Sequence, residues 1–237
     1  LYNSRKMIND ESFWIALKNT CVYTLLYVPG GLLLSLGAAL YLNVNRKFVS
    51  VFRTLFYLPV LSSTVANATL WFWILYPQLG LLNGVLELFG ISGPAWLYDS
   101  RWAMLAVVMM SLWAGFGTNM MIFLSGLKGV SQSLYEAARV EGANRWQIFT
   151  HITWPSISKT TFLVTTMLII SSFQVFDQAF ILTRGGPGNA TITLVYYIYN
   201  NGFNNLNMGY ASSISMVLFL IILVFSVLNT RLNNADI

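Results

Sequence analysis

Leu134–Pro155 reads LYEAARVEGANRWQIFTHITWP, an island of charge between two long apolar runs, and the fold is read outward from it. Ser133 stands three residues ahead of Glu136, an S-x-x-E pattern that predicts a capping box and a short helix starting there. Ala137 and Ala138 follow, small side chains that let another surface come close to the backbone. Gly142 breaks or re-aims the helix, because glycine takes the left-handed cap conformation without strain. Asn144 is placed to cap a second short helix carrying Trp146, Phe149 and Ile152, and Pro155 to end it.

The composition on either side of this island belongs to a membrane protein. Of 237 residues, 56% are hydrophobic and 9% charged, and the mean hydropathy is +0.63. A soluble domain carries roughly 25% charged residues, so this chain lacks the polar surface to cover itself in water. The net charge is +5, but the basic residues are spread over inter-span segments rather than gathered in a patch, and no nucleic-acid partner is expected. Cys21 is the single cysteine, so no disulfide framework exists. His151, the single histidine, has no carboxylate or thiol at ligand spacing, and no metal site is expected.

Five membrane spans are expected in an all-α, polytopic helical bundle. Leu1–Lys18 mixes charge with aromatics and reads as an interfacial segment. Asn19–Asn45 carries no charge and exceeds the ~20 residues a spanning helix needs, with a kink expected at Pro29-Gly30-Gly31. The second span is placed at Leu55–Tyr76 with Pro59 in its first turns, and the third at Trp102–Leu124. The fourth runs over Thr160–Leu182 and the last over Ala211–Leu228. Residues 1–237 form one domain, with 126–157 as its prominent polar loop.

Alternate loops lie on opposite sides, and counting basic residues orients them. One side holds Arg46, Lys47, Arg53, Lys128, Arg139, Arg145, Lys159 and Arg231; the other holds Arg5, Lys6, Lys18, Arg101 and Arg184. Eight against five of the 13 places the Leu134–Pro155 island in the cytoplasm, because basic loops stay inside.

The island resembles the EAA loop of permease subunits of binding-protein-dependent ABC importers. The pattern stands here as Glu136-Ala137-Ala138, Gly142, Ile152 and Trp154-Pro155, with tryptophan where leucine is usual. Phe13-Trp14-x-Ala16-Leu17-x-Asn19-Thr20 and the run Phe176–Pro187, FDQAFILTRGGP, are similar to the carbohydrate-uptake branch, the maltose and glycerol-3-phosphate type of permease. The resemblance covers nearly the whole chain. It implies the type I importer fold, a sixth helix ahead of Leu1 in the full chain, and residence in the cytoplasmic membrane with loop and C terminus inside. It further implies three protein partners: a cytoplasmic ATPase dimer, a second and homologous permease, and an external solute-binding protein. Glu136, Ala137, Ala138, Gly142, Ala143, Ile152 and Pro155 would then grip the ATPase. The chain contains no G-x-x-x-x-G-K-[ST] phosphate loop. ATP and Mg would be bound by the partner, so no cofactor and no enzymatic activity are expected in this chain.

The cargo implied is a sugar, an oligosaccharide, or a related polyol or phosphodiester. An importer of amino acids, phosphate or polyamines is the alternative; an ion-coupled secondary carrier is the rival from another class. Substrate contacts are expected from polar residues at membrane depth, where polarity is costly. On a continuous fourth span, Ser171, Gln174 and Gln178 would share a helical face. Counting ~1.5 Å per residue from Thr160 puts Ser171 about 16 Å deep and Asp177 about 26 Å along, near the outer boundary. Phe173 and Phe176 are candidates for stacking on sugar faces or for packing. Asn67 and Asn119 are candidates for the pathway or for helix–helix hydrogen bonds.

Overall fold

A computed structural model describes residues 2–44 and 48–235, and the regular elements among them are all helical. Arg46 and Lys47, two residues of the charge count, lie outside the described residues. A short helix, α1 (Tyr2–Ile8), precedes α2 (Glu11–Leu42). Asp10 caps α2, its carboxylate accepting from the Ser12 N–H at 3.0 Å. Residues 11–18, read from sequence as interfacial, therefore belong to the long helix. α2 runs through Pro29 as one helix of 32 residues, about 48 Å at 1.5 Å per residue, ample for a ~30 Å hydrocarbon layer.

The second expected span is broken. α3 (Val49–Leu61) and α4 (Thr64–Ile74) meet at a bend of 101° across Ser62 and Ser63. Pro59 lies in the last turn of α3 rather than in the first turns of a long span. Beyond it Ser62 is extended, and Ser63 restarts the helix by accepting from the Ala66 N–H at 3.2 Å. Two serines with cap geometry end the helix where an apolar run alone predicts continuity.

α5 (Leu81–Leu88) sits in the following connection, where Asn83 accepts from the Trp96 indole at 2.7 Å and donates to Pro77 O at 3.0 Å. α6 (Ala103–Lys128) is the central helix, packed along α2 and against α3. Gly117 makes that packing close: a β-carbon there would collide with the carbonyl oxygen of Phe56 on α3. Small residues at such crossings let membrane helices approach by their backbones, as dispersion rather than burial from water drives their association.

The island follows as α7 (Gln132–Val140), α8 (Arg145–Ile148), a π turn over Phe149–Thr153 and α9 (Trp154–Ser156). The next span, α10 (Ser158–Phe173), leaves this segment at a bend of 68°. It does not continue to Leu182. It stops at Gln174, and α11 (Asp177–Leu182) is a separate short helix packed on α4. α12 (Leu194–Tyr199), a second π turn (Asn200–Asn204) and the final helix α13 (Met208–Ala235) complete the chain.

Among the described residues three helices are long and apolar enough to cross a membrane, or up to five if each bent pair is one span. Their outward faces are greasy: Leu25 and Leu33 on α2 are 72% and 74% exposed. A larger core gathers around α6, and a smaller one joins α1, α2, α10, α12 and α13 through Phe13, Phe173, Leu194, Tyr210 and Ile214.

Beside the smaller core Asp10 holds two helices together, its carboxylate accepting from the hydroxyls of Tyr197 and Tyr210. Partial burial pushes this carboxyl up, but those hydroxyls and the Ser12 and Phe13 amides outweigh it, leaving the pKa below the ordinary 3.8. A depressed carboxyl stabilises above its ordinary pKa and loses that contribution as pH falls through the folded value. Asp10→Ala is accordingly expected to lower the thermal unfolding midpoint at pH 7 by several degrees, for a loss of about 1.5–3 kcal/mol per hydrogen bond to a charged group. Melting curves of both proteins should converge as the pH drops below 3.8; a gap that stays constant with pH would contradict the role of the carboxylate.

Candidate functional site

Two places gather the residues singled out above. The first is the α7–α9 segment. Gln132 opens α7 with Ser131 as N-cap, and Ser131 Oγ pairs with Ser133 Oγ at 2.7 Å instead of capping an amide. The expected Ser133–Glu136 capping box is therefore not formed: Ser133 already lies inside the first turn. Glu136 and Ala137 are left exposed, while Ala138 is 9% exposed and faces inward.

The exit from α7 follows the sequence reading closely. Gly142 has φ +79°, and two reversed hydrogen bonds close the helix, Gly142 N–H to Arg139 O at 3.1 Å and Ala143 N–H to Ala138 O at 2.9 Å. Asn144 then makes a reciprocal capping box with Gln147: its side chain accepts from the Gln147 N–H at 2.9 Å, and its own N–H donates to Gln147 Oε1 at 2.8 Å. Pro155 does not end the segment but sits in the first turn of α9, where its missing N–H costs nothing. The break comes two residues later at the buried Ile157.

This hinged pair of helices presents an apolar face beside its charges. Val140 is 89% exposed and Trp146 71% exposed. A cleft of about 450 Å³ opens between α7 and α8, with Ala138, Gly142, Ala143, Gln147 and Ile152 in its wall. Tyr135 ties the segment to its own second half, its hydroxyl lying 3.3 Å from Thr153 Oγ1. His151 Nδ1 stands 2.9 Å from Thr150 Oγ1 and 3.1 Å from Gln147 O, a local arrangement. Among the described residues no three His, Cys, Asp or Glu side chains gather as metal ligands.

The second place is a cavity of about 420 Å³ walled by Tyr23, Tyr27, Ser171, Gln174, Asp177 and Gln178. Ser171, Gln174 and Gln178 do not share one helical face, because α10 ends between them. Across the break at Gln174–Phe176 they come to line one cavity instead, with α11 packed on α4 and α6. Phe176 also borders the cavity, its ring 5.2 Å from Phe180 and 5.1 Å from Tyr199.

Three other candidates are placed elsewhere. Phe173 is 1% exposed and packs on Phe225, with ring centres 5.3 Å apart, so it belongs to the smaller core and not to the cavity. Asn67 is buried, and its amide donates to the Pro59 carbonyl at 2.9 Å. It thereby satisfies an acceptor at the broken end of α3. Asn119 is buried on α6 and does not line the cavity. Tyr23 and Tyr27 were missed from sequence. They are stacked at 5.3 Å on α2, and their i, i+4 spacing in a charge-free span is the signal that could have found them.

The Asn- and Tyr-rich stretch after Asn189 turns largely inward. Asn19 donates to the carbonyls of Asn189 and Ile192 at 2.8 and 3.0 Å, and Thr20 Oγ1 accepts from the Leu194 N–H at 2.9 Å.

Comparison with known proteins places these features in a family. Residues 31–235 match the family described as "Binding-protein-dependent transport system inner membrane component". The arabinooligosaccharides transport system permease protein AraP of Bacillus subtilis is 34% identical over 236 residues, 96% of this chain and 74% of that protein. The lactose transport system permease protein LacF of Rhizobium radiobacter is 34% identical over 232 residues, 95% of this chain and 78% of that one. Among solved structures, a bacterial ABC transporter involved in import of the acidic polysaccharide alginate contains a chain of the same fold. It superposes with a TM-score of 0.91 at 24% identity, over 99% of this chain and 83% of its own.

Asn67 is thus expected to act through stability. Asn67→Ala leaves the Pro59 carbonyl with only the Ser62 N–H, at 3.3 Å, and should cost about 0.5–1.5 kcal/mol for the lost hydrogen bond. A lower unfolding midpoint with unchanged cargo affinity is the expected result; a normal midpoint with weakened cargo binding would return Asn67 to the pathway.

Proposed function

As the chain belongs to the family of binding-protein-dependent transport system inner membrane components, a translocating membrane subunit rather than an enzyme, we propose that it is the permease of an ATP-driven sugar importer. The observation that carries the coupling half of this reading is the geometry of α7 and α8. Two short helices, joined through the reversed hydrogen bonds at Gly142 and the Asn144–Gln147 box, present Glu136, Ala137, Val140 and Trp146 to the outside between two long helices. Such a projection is suited to sit in a cleft of another protein, here a cytoplasmic ATPase that binds ATP and Mg. Closure of the ATPase dimer would push on α7, and the short connections on either side of the segment would pass the push to α6 and α10 as rigid bodies. The segment and the C terminus face the cytoplasm on this reading. A second, homologous permease and an external solute-binding protein complete the assembly.

The cavity supports the cargo half. Its wall offers hydroxyls, amides and one carboxylate, with aromatic rings of Phe176 and the tyrosines at its side. That chemistry suits a polyhydroxylated, uncharged ligand, which needs hydrogen bonds in both directions and a flat apolar surface. AraP and LacF are named for arabinooligosaccharides and lactose, and both are similar over nearly all of this chain. Asp177, exposed at the end of the cavity, is its one carboxylate and no cation lines it, so phosphate and other anions fit poorly. A proton- or ion-coupled carrier would need ionisable groups near mid-membrane, which this cavity does not offer.

Glu136→Lys and Gly142→Leu test the coupling. The first reverses an exposed charge on the projecting helix, and the second forces a β-carbon into φ +79°, at ~1–2 kcal/mol of strain. In the assembled complex both should lower cargo-stimulated ATP hydrolysis and uptake by about tenfold or more. Wild-type stimulation in both variants would overturn the coupling role.

A further inference from the structure

At the end of the molecule that carries α7, the ends of α2 and α6 and the start of α3 enclose a cavity of about 740 Å³. Among the described residues three cations line it, Arg53 from α3, Lys128 from the last turn of α6 and Arg139 from α7, with Ser50, Gln132 and Tyr135 among them. Among the described residues no Asp or Glu lines this cavity. Arg53 donates through Nη2 to Leu42 O at 2.7 Å, closing the end of α2, and its Nε is buried without a partner. A guanidinium has five donors in a planar fork, so this anchored side chain keeps capacity for an anion.

A second, apolar hollow of about 460 Å³ adjoins the first and shares Val44 and Val49 with it. Tyr41, Phe48 and Phe52 form its walls, and Tyr41 and Phe48 are each 74% exposed. The pair of hollows is amphipathic: a cationic chamber at the end of the helices, continuous with a greasy groove on their side. We propose that it binds an anionic phospholipid, with the phosphate among Arg53, Lys128 and Arg139 and an acyl chain along Phe48 and Phe52. Free phosphate would use the chamber and leave the groove empty. An acyl chain accounts for both.

The lipid would also touch the coupling machinery. Tyr135 and Arg139 belong to α7 and flank Glu136, so an occupied chamber braces α7 against α3 and α6. This consequence rests on the coupling reading above; the lipid site does not. On that reading the chamber faces the cytoplasmic leaflet, whose surface concentrates charge for juxtamembrane basic groups.

The test is lipid retention by the purified, detergent-solubilised complex, followed by native mass spectrometry after exchange into phosphatidylcholine doped with phosphatidylglycerol. Lys128→Gln with Arg139→Gln removes two exposed cations that make no side-chain hydrogen bond among the described residues, so folding is preserved. Lys159→Gln, outside the chamber, is the control. The wild type and the control should retain phosphatidylglycerol over phosphatidylcholine, and the double variant should lose about tenfold of that preference, as expected for two charge-assisted contacts. Phe48→Ser should weaken retention of the lipid without creating sensitivity to inorganic phosphate. Equal retention by the double variant would overturn the proposal. So would displacement of the lipid by millimolar inorganic phosphate, which marks a free-anion site, or retention only by permease stripped of its partners, which marks a partner carboxylate as the occupant. Cargo-stimulated ATP hydrolysis measured with and without phosphatidylglycerol then reads the bracing separately from the binding.

Discussion

Inside a bilayer every backbone amide and carbonyl must find a partner within the protein, and the places where this chain interrupts its helices are organised by that requirement. At the α3–α4 elbow, the Asn67 amide supplies the Pro59 carbonyl with a donor, and the Ser63 hydroxyl takes the Ala66 amide. At the α10–α11 break, the Thr193 hydroxyl donates to the Val175 carbonyl at 2.8 Å in a fully buried setting. At the start of α12, Thr20 on α2 receives the Leu194 amide. Each interruption is thus stitched to a neighbouring helix by a small polar side chain. An unpaired group at any of them would cost several kcal/mol in hydrocarbon.

These stitched breaks are also where function becomes possible. A continuous fourth span would have carried Ser171, Gln174 and Gln178 up one face of a rod. Ending α10 at Gln174 lets Asp177 and Gln178 return beside Tyr23 and Tyr27, so that a walled cavity forms. The break at Ile157 has the complementary effect at the other end of α10. It turns the α7–α9 segment through 68° out of line with the helix, leaving a rigid projection rather than a longer rod. One short span therefore joins the proposed mechanical input to the edge of the proposed cargo cavity, and displacement at one end must be felt at the other.

How much of this was legible in the sequence depends on the kind of signal. Gly142 and Asn144 were readable because their roles are local: one takes a positive φ, the other forms its box within three residues. The membrane class and the positions of α2, α6 and α13 followed from long uncharged runs. The elbow at Ser62-Ser63 and the stop at Gln174 were missed, because hydropathy does not fall there and the compensating partners, Asn67 and Thr193, are set by how the next helices pack and not by a local pattern. Ser133 misled for the opposite reason. Its spacing to Glu136 was right, but the helix starts earlier at Gln132, and a pattern cannot fix a helix start by one residue. Phe173 and Phe176 are three residues apart and look alike in sequence; only the break decides that the first enters the core and the second borders the cavity.

On the proposed function an ATPase grips the pair of helices joined at Gly142. Cys21 is the single cysteine of these 237 residues, so Cys21→Ser frees them for one reporter thiol at Val140, the most exposed apolar position on α7. Thiol cross-linking of that variant in intact membranes, in the presence and absence of nucleotide, is the direct measurement. An efficient adduct with a cytoplasmic ATPase subunit is expected, with a yield that changes on nucleotide binding, and none from a thiol at the exposed Leu33 of α2. An adduct with an external protein, or none with an ATPase while transport stays intact, would contradict it.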